Sequence, residues 1–113
     1  MEWIDLHSLS QLEEIDRSSA VKPVVLFKHS TRCSVSSMAW GRMQRAGEAL
    51  TGADCYYLDL LAHRDVSQAI AERYGVQHES PQLIVVRNGK AVWDESHMGI
   101  TAGAVGAALN ASA

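Results

Sequence analysis

The chain has little that would staple, stiffen or break it: its 113 residues include two cysteines, two prolines and one phenylalanine. Two cysteines, Cys33 and Cys55, are too few for a disulfide framework or an all-cysteine zinc site, which leaves redox chemistry or plain packing as their roles. A surplus of one charge sign is also missing. Ten basic residues, scattered among thirteen acidic ones, give a net charge of −3, so there is no electrostatic footprint for nucleic acid and no such partner is expected. No apolar stretch approaches the roughly 18–20 residues of a membrane span. The N-terminus carries Glu2 and Asp5 where a secretory leader has a basic segment before an apolar run. A cytoplasmic chain without a membrane partner is therefore expected. The histidines, His7, His29, His63, His78 and His97, show no ligand spacing such as an i, i+4 pair on one helix, and no metal is expected. His29 is close enough in sequence to Cys33 to bias its protonation, but its expected place is the solvated surface.

What is present is enough apolar character, 47% of residues, to bury one core without staples, in a chain too short for two ordinary domains. A single domain over 1–113 is expected. Trp3 to Leu6 can form a short edge strand, and Ser10-Gln11-Leu12-Glu13 has the capping-box form that opens a helix. Val24-Val25-Leu26-Phe27 is a continuous apolar run of strand formers, the pattern of a central strand covered on both faces. From Ser34 to about Leu50, apolar side chains at helical spacing predict the longest helix, with Trp40 and Arg42 on its outer side, where an exposed aromatic would suit partner docking. Cys55 to Leu60 is a second buried-type strand, followed by a helix that Asp65 caps and Gly75 ends. Leu83 to Val86 and Ala91 to Trp93 flank Asn88-Gly89, a strong hairpin signal, and a small-residue helix from about Thr101 to Asn110 closes the chain. Two parallel crossovers followed by an antiparallel hairpin and a helix make an α/β protein: a mixed sheet of four to five strands with helices on both faces, the thioredoxin-like fold.

Cys33 falls directly after the central strand, at the start of the longest helix. Unpaired N–H groups and the positive end of the helix dipole favour a thiolate there, and Arg32 and Lys28 are expected to add positive charge. The thiolate is the attacking species in disulfide exchange, so Cys33 is the candidate nucleophile. Three residues later, where dithiol motifs carry a second cysteine, stands Ser36. Cys55 lies near the start of a strand parallel to the one whose far end leads to Cys33, so roughly 15 Å should separate the two. A disulfide tolerates Cα separations only up to about 7 Å, so the chemistry is monothiol and Cys55 is expected to be a buried core thiol. In this topology Ser80-Pro81 falls beside the cysteine turn, leaving the Ser80 backbone to pair with an extended substrate; the plainer alternative is a proline that only begins a strand.

The stretch from Phe27 to Ala39, with Arg32-Cys33-Ser34-Val35-Ser36 at its centre, together with His78-Glu79-Ser80-Pro81-Gln82, resembles the bacillithiol-system YtxJ-like family of monothiol bacilliredoxins. The likeness spans nearly the whole chain. It implies a cytosolic bacterial protein of thioredoxin fold that removes bacillithiol, or a related low-molecular-weight thiol, from S-thiolated cytosolic proteins. Cys33 is then the nucleophile, the small thiol is a co-substrate, no cofactor is tightly bound, and the protein is a monomer or weak dimer. Better-known members carry Thr-Cys-Pro-Ile-Ser. Here Ser34 replaces the proline, which loosens the first helical turn and adds a backbone donor near the sulfur. Two other readings stay open on sequence: an iron-sulfur carrier like monothiol glutaredoxins, and a non-catalytic thioredoxin-like interaction module.

Overall fold

The computed structural model describes residues 2–112. Its five-stranded sheet has the order β1-β3-β2-β4-β5, and the strands are β1 (Trp3–Asp5), β2 (Val24–His29), β3 (Asp54–Asp59), β4 (Gln82–Arg87) and β5 (Lys90–Ser96). β1 and β2 run parallel to β3, while β4 is antiparallel to both β2 and β5. The helices are α1 (Gln11–Ser19), α2 (Ser34–Gln44), α3 (Arg64–Tyr74) and α4 (Ala102–Ser112). None is long and apolar enough to cross a membrane.

β2 lies at the centre, and all six of its residues are buried. Strand alternation divides it between two cores. Val24 and Leu26 join Leu12 and Ile15 of α1 and Val66 and Ile70 of α3 on one face. Val25 and Phe27 join Ala39 and Met43 of α2 and Val105 and Leu109 of α4 on the other. Each fully buried Val, Leu or Ile contributes about 1.5–3 kcal/mol, so a central strand apolar on both faces is favourable only with helices on both sides. Asn88 and Gly89 have φ of 54° and 73°, the paired left-handed conformation of a tight hairpin turn that matches strand twist.

Several local expectations differ from the structure for identifiable reasons. Ser10 stands at the α1 N-cap but its side chain caps nothing; Gln11 Oε1 instead accepts from the His7 and Ser8 N–H groups, at 2.7 and 3.0 Å. The N-cap of α3 is His63, which leaves Asp65 inside the first turn, where its charge still complements the helix dipole. α2 stops at Gln44 because Gly47 takes φ +31°, and residues Gly47–Leu50 form a separate 3-10 turn. Gly75 ends α3 in the left-handed conformation, as its position after the apolar run predicts.

Candidate functional site

β2 delivers the chain to a turn at the carboxyl end of the sheet, and the Cys33 N–H closes that turn on the Ser30 carbonyl at 3.1 Å. Cys33 is the N-cap of α2, in extended conformation, and its carbonyl accepts the first helical bond from the Ser37 N–H at 3.0 Å. Its thiol is partly exposed. The N–H groups of the first turn have no intrahelical carbonyl to bond, so they present partial positive charge on the side of the sulfur. Arg32 and Ser34 flank it, both exposed.

Ser36 is fully buried and holds this turn together. Its Oγ lies 2.9 Å from the Ser30 N–H and 2.6 Å from His29 Nδ1. The amide can only donate, so the hydroxyl accepts from Ser30, and it shares a second hydrogen bond with His29 Nδ1. Burial pushes the His29 pKa down, against the opposing pull of the Asp59 charge and of a hydrogen bond to the Ser36 backbone. His29 is not a surface residue: it is 5% exposed and packs 5.7 Å from the Tyr57 ring. Trp40 is half-buried against the same face. It stacks at an angle on Tyr57 at 4.6 Å and on Trp3 at 5.0 Å, and Arg42 is half-buried, so the outer side of α2 offers no exposed aromatic at position 40. α2 rotates this ring inward to cover the sheet's edge beside β1.

Lys28 alternates to the face away from α2. It is fully buried, and its Nζ lies 3.3 Å from His78 Nδ1, so it is not packed with the helix that carries Cys33. Burial lowers its pKa to about 8. The ammonium donates, which fixes His78 as the neutral tautomer with a bare Nδ1, and the His78 pKa falls through burial and the Lys28 charge, with Glu79 opposing. A lysine that continues the apolar run Val24–Phe27 is the available signal for this buried cation.

The Ser80–Pro81 bond is cis. Lys28 pairs with Gln82 in the antiparallel register, so Pro81 and Ser80 run alongside the end of β2, where the chain turns toward Cys33. The segment is pinned at both ends: Gln82 Nε2 donates to the Gln77 carbonyl at 2.9 Å, and the Pro81 carbonyl accepts from the His97 N–H at 3.0 Å. Among the described residues, no backbone group bonds the N–H or C=O of Ser80, and its buried hydroxyl has no partner.

Cys55 sits at the other end of the sheet, paired in register with Val25 and 1% exposed. Burial first, and Asp54 second, push its thiol pKa up to about 12. A thiol held protonated in the core does not attack disulfides.

Comparison with known proteins agrees with this arrangement. A solved thioredoxin-fold structure described as an oxidoreductase is 33% identical, with 93% of this chain and 91% of that one covered at a TM-score of 0.83. A thioredoxin from Trypanosoma brucei brucei superposes at a TM-score of 0.78 over 97% of this chain and 89% of its own, at 14% identity, a likeness of fold alone. The family described as monothiol bacilliredoxin BrxC matches residues 4–105. With one partly exposed cysteine at the head of α2 and a buried serine in the place of a second, this thioredoxin-fold chain belongs to the monothiol bacilliredoxin BrxC family, a family of thiol redox proteins.

Proposed function

We propose that the protein removes bacillithiol, or a related low-molecular-weight thiol, from mixed disulfides on cytosolic proteins, with Cys33 as the sole nucleophile. The observation that carries this is the Cys33–Ser36 pair. The helix start exposes one sulfur, and the position that would resolve it internally holds a hydroxyl already bonded to Ser30 and His29. The Cys33 thiolate attacks the small-thiol sulfur of the mixed disulfide. An S–S bond forms to Cys33, the original S–S bond breaks, and the target leaves as a thiolate that takes a proton from water. A second small thiol, as its thiolate, attacks the adduct, releasing the Cys33 thiolate and the symmetrical disulfide; in sum the mixed disulfide and one free small thiol become the reduced target and the small-thiol disulfide. The Ser80 N–H and C=O are suited to pair with the incoming substrate strand.

Intact-mass analysis after exposure to oxidised bacillithiol, oxidised glutathione and coenzyme A disulfide in competition tests nucleophile and thiol together. The expected result is one adduct per chain, on Cys33, with bacillithiol preferred. Cys33→Ser should abolish adduct formation and Cys55→Ser should keep it. The reverse pattern, or an unmodified wild-type chain, would overturn the assignment.

A further inference from the structure

A cavity that borders this end of the sheet is not lined by Cys33. It has a volume of about 270 Å³ and lies against the first two turns of α3, lined by Leu60, Arg64, Ser67, Gln68, Ala71 and His78. Its position follows from topology. β2 and β3 are adjacent and parallel, but β2 leads into α2 on one face and β3 into α3 on the other. Adjacent strands whose helices diverge leave a crevice outside their carboxyl ends, and in open α/β sheets that crevice is where ligands bind. Cys33 stands on one side of this switch point and the cavity on the other.

The lining has a definite chemistry. Leu60 and Ala71 give an apolar wall, Ser67, Gln68 and His78 supply hydrogen-bonding groups, and Arg64 supplies a charged fork. No carboxylate lines it; Glu79 acts on His78 from the chain position beyond, and Glu72 accepts from Gln68 at 3.3 Å. Behind His78 lies the buried Lys28 ammonium, which has no carboxylate within ion-pairing distance among the described residues. A buried cation without a counter-charge favours an anion in the adjoining space. From His78 the chain passes through Glu79 to Ser80–Pro81, alongside the turn to Cys33, and three residues span at most about 10 Å. That bounds how far His78, in the cavity wall, lies from Pro81.

We propose that this cavity binds the carboxylate-bearing arm of the small thiol while the sulfur of that thiol is bonded to Cys33. Arg64 and the Lys28–His78 pair are its anion-recognition groups, and Ser67 and Gln68 add polar contacts. The inference rests on the exchange reaction proposed above, and it makes selection among small thiols a property of α3 and not of the cysteine turn.

The test uses a non-reacting probe, so that binding and exchange are read separately. Cys33→Ser protein is titrated with S-methyl bacillithiol, whose malyl group carries two carboxylates, and with S-methyl cysteamine, which has none. The expected result is that S-methyl bacillithiol shifts the Ser67 and Gln68 amide and His78 ring resonances. Its affinity should fall about tenfold with Arg64→Gln or Lys28→Met, the worth of one charge-assisted contact at a partly solvated site. S-methyl cysteamine should leave those resonances in place. Binding that ignores both substitutions, or shifts confined to other surfaces, would overturn the cavity assignment. In parallel, the rate of Cys33 modification by oxidised bacillithiol relative to cystamine should fall about tenfold in Arg64→Gln. An unchanged ratio refutes the cavity while leaving the exchange reaction intact; a wild-type Cys33 that forms no adduct refutes the exchange reaction, and the titration still decides the cavity.

Discussion

Ser36 shows how one buried side chain can set the form of the turn that presents Cys33. Its hydroxyl joins the Ser30 amide to the His29 ring, so the turn that ends at Cys33 is fixed from inside α2. Ser36→Ala leaves a buried amide and a buried ring nitrogen without partners, and each such group costs about 1–3 kcal/mol. Ser36→Ala should therefore lower the urea midpoint, and the Ser30 amide should lose its hydrogen-exchange protection ahead of the amides of β2. An unaltered Ser30 exchange rate would show that the bond does not hold the turn. Ser36 was legible as the residue that replaces a second cysteine. Its partner was not, because a histidine next to two serines and a threonine has the local signature of a solvated loop, and only the length of β2 carries it inside.

Elements far apart in sequence are joined by a few bonds that local patterns do not announce. Ser19, in the last turn of α1, is fully buried: its Oγ donates to the Asp16 carbonyl at 2.7 Å and accepts from the Gly89 N–H at 2.9 Å, while its own carbonyl accepts from the Asn88 N–H at 2.9 Å. The hairpin tip is thereby tied to the end of α1. Ser19→Ala removes the acceptor for Gly89 and should destabilise the protein by about 1–2 kcal/mol, with faster amide exchange at Gly89 and little change at Asn88, whose partner is backbone. Equal exposure of both amides would argue that the whole contact had opened. Helices and strands themselves followed from apolar periodicity and turn residues. Their caps did not, since Gln11 and His63 take terminal roles set by where the chain arrives from β1 and β3.

At the scale of the whole molecule, buried ionisable groups set how stability changes with pH. Lys28 titrates near 8 in the folded protein against an ordinary value of 10.5, so from pH 8 to 10.5 the unfolded chain binds more protons than the folded one, and stability rises with pH. Below pH 8 the buried charge is a penalty of up to about 3 kcal/mol. Lys28→Met should relieve it, stabilising the protein by about 1–3 kcal/mol at pH 7 and removing the rise between pH 8 and 9 in denaturant titrations. A variant less stable than wild type at pH 7 would contradict this. Cys55 acts in the opposite sense: its folded value is raised to about 12, so the stability it contributes is lost as pH rises beyond 9, and the upward-shifted Tyr56, Tyr57 and Tyr74 add to that loss above 10.

The sequence by itself determined the order of elements, the sheet with helices on both faces, the place of Cys33 at the head of α2 and the burial of Cys55. Each of these follows from apolar period, turn chemistry and spacing along a single segment. Only the tertiary structure decided that His29 lies inside and Trp40 packs half-buried on Tyr57, that Lys28 is buried with its ammonium against His78 across the sheet from α2, and that a cavity at the divergence of α2 and α3 adjoins that cation. These depend on which strand neighbours which and how far each runs, because a side chain's surroundings are set by contacts between segments that share no local pattern.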